Sequence, residues 1–228
     1  MPSTFVHAGL ALLLAAGLLK GAYDRRALAV LLVVVVAPEA DTIAGLWMPG
    51  AHRALLHNLT IPLVAGLVLY WDTRYREESW IREKWGWWGV RVAWVGLFVH
   101  CFAHVLLDYA HLEGINVFYP LYDRFFRLEG ELLISTTDGI VQTFLEFERD
   151  PETGSIATNV GETGTTADTH VANPVEPSAD PDPDEPIDRR FPIAASGWEL
   201  YMILSGLFVL VARRFQDREG EGEREHQP

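Results

Sequence analysis

The stretch Val99-His-Cys-Phe-Ala-His-Val-Leu-Leu-Asp108-Tyr-Ala-His111 closes a long apolar segment that starts near Trp85, yet it carries three histidines and an aspartate. At 100° per residue, His100, His104, Asp108 and His111 fall at about 0, 40, 80 and 20°, one stripe on one helix face. His104 and Asp108, four apart, can then both reach one metal ion, as paired ligands do in helix-borne metal sites. The competing reading is a helix end whose polar residues simply face the headgroups.

Around that stretch, long uncharged runs alternate with short charged loops, and one acidic low-complexity segment interrupts them. The formal net charge of −13 argues against nucleic acid as a partner. Lys20 and Lys84 are the only lysines, and this acid-rich, Lys-poor composition resembles that of salt-loving archaea. The single Cys101 sits in an apolar segment, which rules out an internal disulfide and disfavours a thiolate metal site.

The apolar runs predict an all-α polytopic membrane protein of about five transmembrane helices. Thr4 to Leu19 is apolar except for His7 and reads as an uncleaved anchor, because no Lys or Arg precedes it. Ala27 to Ala37 is about 16 Å long as a helix, short of a hydrocarbon core of about 30 Å. Its outer end, Pro38-Glu39-Ala40-Asp41, is therefore expected in a dip at or below headgroup level. His52 to Trp71 reads as a third span with Pro62 as a kink that neighbouring helices tolerate. Trp80, Trp85, Trp87 and Trp88 make an interfacial belt opening the fourth span, and Arg91 can snorkel back to it. Gly197 to Ala212 is the fifth, stopped by Arg213-Arg214.

This division gives a four-helix membrane domain over 1–121, a hairpin region over 122–149, an acidic disordered linker over 150–192, a C-terminal span over 193–215 and a charged tail over 216–228. The hairpin rests on two alternating runs, Phe125–Ile134 and Gly139–Phe147, joined by a turn at Ser135-Thr-Thr-Asp138. The linker is rich in Asp, Glu, Pro, Thr and Gly with almost nothing to bury.

Five spans place the N-terminus, the Pro38–Arg53 loop and the long acidic loop on one side of the membrane. Basic residues concentrate near span ends on the other side, in Lys20–Arg26, Asp72–Lys84 and the C-terminal tail. The positive-inside rule then puts the tail in the cytoplasm and the acidic loop outside. His7, Glu39, Asp41, His52, His57, His104 and Asp108 all fall at the same membrane face under this topology, whichever way the chain is oriented. Ionisable residues at such depth are costly and usually functional. Their histidine and carboxylate atoms form an N/O ligand set suited to zinc or another divalent ion.

The order His7, Pro38-Glu39-Ala40-Asp41, His52-Arg53-Ala-Leu-Leu-His57-Asn58, His104-x-x-x-Asp108 and Gly114-Ile-Asn-Val-Phe-Tyr-Pro120 resembles the YdjM-like family. These are membrane-bound proteins described as metal-dependent hydrolases, with a distant similarity to zinc-dependent phospholipases C and single-strand nucleases. The resemblance covers roughly residues 1 to 121. Three positions depart from the family pattern: Glu39 stands for its first Asp, Ala54 for a Gly, and Leu56-His57-Asn58 for Thr-His-Ser. The ligand-capable atoms survive in each.

Residues and resemblance together lead to a membrane-bound hydrolase acting on a lipid or lipid-linked phosphoester at the outer membrane surface. His57, His104, Asp108 and Asp41 are expected as ligands of a divalent metal, with His7 and His52 at the remaining positions or at a second ion. Glu39 is expected as the general base of a metal-activated water, and Arg53 as the holder of a phosphate or oxyanion. Two alternatives stand beside this: a non-catalytic scaffold with a structural metal and the hairpin as partner surface, and a haem protein ligated by bundle histidines.

Overall fold

A computed structural model describes residues 3–48, 50–111, 114–137, 139–149, 156–159, 161–169 and 193–225. The described chain is mostly helical with a few short strands, and it divides into two units. One takes Pro2–Pro38, Pro62–His104 and Pro192–Pro228; the other takes Glu39–Ile61 and Val105–Phe191.

The first unit is built from helices. α1 (Thr4–Leu18) follows Ser3, whose hydroxyl donates to the Ile193 carbonyl. α2 (Arg25–Val36) starts at Asp24, whose carboxylate accepts from the Ala27 amide at 2.7 Å as an N-cap. The same carboxylate accepts from the Trp88 indole at 3.0 Å, tying α2 to α5 (Trp80–Val99). Leu19, Leu31, Val35, Val95, Val99 and Ala103 form the apolar core of this unit. α7 (Gly197–Glu225) lies hard against α1. A Cβ on Gly206 would collide with the Gly9 carbonyl, and one on Gly9 would come within 2.8 Å of the Met202 carbonyl. Two arginines cap the orphan carbonyls at the end of α1: Arg91 donates to Leu18 at 2.8 Å and Arg213 to Ala16 at 2.6 Å.

α4 (Thr60–Arg74) is joined to α5 by a tight polar turn. Asp72 accepts from the Ser79 hydroxyl at 2.7 Å and from the Trp80 amide at 2.9 Å, while Ser79 caps α5 through the Arg82 amide. Arg76 lies 3.8 Å over the Trp80 ring. Burial of Asp72 raises its pKa, but the Ser79, Trp80 and Ile81 donors and the Arg76 charge outweigh that and hold it below the usual carboxylate range.

Among the described residues, two helices are long and apolar enough to cross a membrane: Arg25–Gly45, of 21 residues, and Trp80–Tyr109, of 30. The first corrects the expectation of a short span ending at Ala37. Pro38 lacks an amide proton, but the backbone tightens to a 3₁₀ turn over Ala37–Ala40 and continues into α3 (Asp41–Gly45). The run of 21 residues rises about 31 Å, the thickness of the hydrocarbon core. The expectation of a helix from His52 also fails, since α4 begins only at Thr60. Pro62 therefore sits in the first turn of α4, where its missing amide costs nothing, and makes no kink. The actual break is at Gly86, whose φ of 65° only glycine adopts freely, in the middle of the tryptophan belt.

Among the described residues, the second unit holds α3, the irregular segment 50–59, α6 (Leu106–Tyr109) and six short strands. β2 (Leu132–Ser135) and β3 (Gly139–Gln142) form the hairpin, paired from Leu132 with Gln142 to Ser135 with Gly139. The alternating runs do not form one longer ribbon. β1 (Phe125–Phe126) pairs with β6 (Glu162–Gly164), and β4 (Glu146–Arg149) with β5 (Ile156–Asn159). Two short strands and the turn at 165–169 thus stand within the stretch expected as acidic linker, of which 150–155, 160 and 170–192 lie outside the described residues. Phe125 is fully buried with Ala54 and Tyr119, and Val105, Ile115 and Val117 make a second small core.

Candidate metal centre

The segment 50–59 is not a helix, and that decides the site. Arg53 takes a left-handed φ of 64°, a conformation costly for a non-glycine residue. Two hydrogen bonds hold its peptide there: its amide donates to Asp41 Oδ2 at 3.2 Å, and its carbonyl accepts from the Asn116 amide at 2.9 Å. Folded this way, His52 and His57 turn toward the same carboxylate although they are five residues apart. His52 Nδ1 donates to Asp41 Oδ1 at 2.9 Å and His57 Nδ1 to Asp41 Oδ2 at 2.7 Å. The Leu56 amide adds a bond to Oδ2 at 3.3 Å. Asp41, expected as a metal ligand, thus has both oxygens engaged by imidazole N–H groups and is 1% exposed.

This is the geometry in which a carboxylate fixes histidine tautomers. With the proton on Nδ1, each ring presents the lone pair of Nε2. Among the described residues, the buried His52 Nε2 has no hydrogen-bond partner. His57 Nε2 faces Asp108 Oδ2 at 3.4 Å. A nitrogen lone pair and a carboxylate oxygen repel at that distance unless a metal cation or a second ring proton lies between them. Two ligands held at about 2.0–2.1 Å on a tetrahedral centre stand about 3.3–3.4 Å apart.

Asp108 is fully buried, and Arg53 NH2 lies 3.8 Å from its other oxygen. Arg53 NH1 donates to the Gly114 carbonyl at 3.0 Å. The arginine expected to hold a substrate phosphate is 0% exposed and is committed to the protein's own groups. Asn58, which replaces the serine of the family pattern, accepts from the Ile61 amide at 3.1 Å, the capping contact a serine would make at the start of α4.

His104 and Asp108 lie on the same stretch of Trp80–Tyr109, beyond its break at Gly86. Its register is not the uniform one assumed from sequence. Residues His100–Val105 form a π-turn, a widening frequent at functional sites that shifts side chains off the 100° stripe. Within the helical unit, the His7 ring stacks on His104 with centroids 4.3 Å apart and planes at 27°. His7 Nδ1 donates to the Ala103 carbonyl at 2.8 Å, a carbonyl inside the π-turn, so His7 also presents Nε2. His100 stacks parallel to His104 at 6.4 Å. The helical unit thus brings two buried imidazoles, His7 and His104, against each other, while Asp41, His52, His57 and Asp108 gather in the other unit.

The sequence profile of the family described as YdjM inner membrane protein matches residues 1–160. The chain belongs to this family. Every YdjM-type residue singled out above lies inside the matched stretch, whereas the segment 161–169 and α7 lie beyond it. No curated protein and no solved structure matches the chain. Membership in an inner-membrane family agrees with the two long apolar helices.

Sequence reasoning singled out the histidines and carboxylates but not the hydrogen bonds that orient them. Asp41 reads from sequence as one more ligand, and Asn116 was not singled out. The available signal was the spacing of His52 and His57. Five residues suit no helix face, which already argued for a loop between two fixed points.

Proposed function

We propose that the chain is a polytopic, five-span membrane hydrolase whose metal centre opens at the outer membrane surface and cleaves a lipid or lipid-linked phosphoester. The observation that supports it most is the 3.4 Å approach of His57 Nε2 to Asp108 Oδ2, with His57 Nδ1 donated to Asp41. His57 and Asp108 would hold the ion. His104, one turn before Asp108 on the same helix, would supply a further nitrogen. His52 Nε2 offers a position for a second ion. A divalent cation bound there lowers the pKa of a water toward neutrality and stabilises charge developing on a phosphoryl oxygen. Asp41 orients the His52 and His57 rings. Glu39, half-buried at the 3₁₀ turn, receives the proton of the attacking water. Arg53 offsets the Asp108 charge and fixes the loop, so its role is positional. Zinc fits the mixed nitrogen and oxygen donor set.

A structural metal in a non-catalytic scaffold is the second reading, favoured by the burial of His7, His57, His104 and Asp108. Elemental analysis of detergent-purified protein beside His104→Ala and His57→Ala, followed by phosphodiester and phospholipid hydrolysis assays, separates the two. Stoichiometric metal lost in both variants, together with metal-dependent hydrolysis, is expected. Metal that resists chelators with no turnover favours the scaffold, and no metal after reloading refutes both.

A further inference from the structure

The segment Gly161–Thr169 lies beyond the family-matched stretch, yet it is fastened to the loop that carries the histidines. The Thr166 hydroxyl donates to Asp123 Oδ2 at 2.6 Å and the Thr166 amide to Asp123 Oδ1 at 3.1 Å. Asp123 Oδ1 also accepts from the Asn116 side-chain amide at 2.6 Å. Burial raises the Asp123 pKa, but these three donors and the Arg124 charge carry it below the usual carboxylate range, so it is a charged anchor at neutral pH. Asn116 is fully buried, its side-chain oxygen accepts from the Arg124 amide at 3.3 Å, and its own amide donates to the Arg53 carbonyl at 2.9 Å. Arg53 in turn donates its amide to Asp41, the residue that orients His52 and His57.

Three further contacts hold the same segment down. Phe125 pairs with Gly164, Arg124 forms a 3.1 Å ion pair with Glu162, and a Cβ on Gly50 would collide with the Thr166 carbonyl. Gly50, two residues before His52, is therefore required for this close approach as well as for its φ of 77°.

We infer that Gly161–Thr169 is a latch and that Thr166 and Asp123 are positioning residues for the metal centre, acting through Asn116 and the strained peptide of Arg53. The inference rests on the metal reading above but is carried by its own set of hydrogen bonds. A left-handed arginine relaxes when its restraints are removed. Releasing the latch therefore loosens Asp41 and the two imidazoles without touching any ligand, a loss of support that weakens metal binding ten- to a hundred-fold.

The test uses the full-length protein in detergent with Zn²⁺ alone as probe, comparing wild type, Thr166→Val, Thr166→Ser and Asp123→Ala. Zinc affinity is read by competition with a chromophoric chelator, and amide exchange over residues 50–58 by mass spectrometry. Thr166→Val and Asp123→Ala are expected to weaken zinc about tenfold or more and to speed exchange at the Arg53 and Leu56 amides, and Thr166→Ser to restore both. If exchange over 50–58 is unchanged while that of 161–169 rises, the latch does not reach the site and the inference is overturned. If wild type binds no zinc, the metal reading fails by itself, and the exchange data still decide whether the latch holds the loop.

Discussion

Replacing Asp41 by Asn preserves shape and removes one acceptor, so it separates a metal ligand from the residue that orients ligands. In the structure Asp41 Oδ2 receives three donors, from His57 Nδ1, the Arg53 amide and the Leu56 amide. Oδ1 receives His52 Nδ1 at 2.9 Å and lies by the Thr42 hydroxyl's partner ring. An asparagine places its carbonyl oxygen where three donors converge and its NH₂ against His52. His57 keeps its orientation, and His52 Nδ1–H meets a donor. The cheapest relief is for His52 to move its proton to Nε2, which takes that nitrogen out of metal binding. Loss of one charge-assisted hydrogen bond costs about 1.5–3 kcal/mol. Loss of one carboxylate–histidine support weakens metal about 10- to 100-fold, or about 1.4–2.8 kcal/mol. The assay is zinc competition at neutral pH on detergent-purified protein, with Asp41→Ala alongside, in which both histidines lose their acceptor and the deficit should roughly double in free energy. Unchanged zinc affinity in Asp41→Asn would refute the supporting role. Complete loss of metal in Asp41→Asn, equal to that in His57→Ala, would instead make Asp41 a direct ligand.

Two further outcomes follow from the helical framework. Gly206→Leu forces α7 away from the Gly9 backbone and should destabilise the protein by about 1–3 kcal/mol, read as a lowered Tm in detergent; an unchanged Tm would mean that the two helices do not pack at these glycines. Asp72, held below the usual carboxylate range, contributes stability that is full above the unfolded-state pKa near 4 and is lost as pH falls through the lower folded value. The acid limb of a Tm-versus-pH curve should therefore flatten in Asp72→Asn, and parallel limbs in the two proteins would contradict this.

Much of the candidate site was legible because its chemistry is local in sequence. His104-x-x-x-Asp108 is a turn of one helix, and His7, Glu39 and Asp41 stand at the ends of apolar runs, where an ionisable side chain is conspicuous. The errors share a cause. The sequence pattern ends the second span at Ala37 and opens the third at His52, because apolar runs and propensity treat each residue's own side chain, amide and φ. Neither registers a 3₁₀ adjustment that lets α2 run on to Gly45, nor a loop pinned by partners 60 residues away.

The sequence by itself determined that long apolar segments alternate with charged turns and that histidines and carboxylates gather at the ends of those segments. Charge and hydropathy are properties of composition and spacing, and they need no coordinates. Only the tertiary structure decided which atoms do what. Whether Asp41 binds an ion or orients two imidazoles depends on whether its oxygens meet histidine N–H groups. That is set by a left-handed peptide at Arg53. A backbone conformation unfavourable for arginine is nowhere in the local pattern. It persists because Asp41, Asn116 and Gly114, brought together from distant parts of the chain, hold it there.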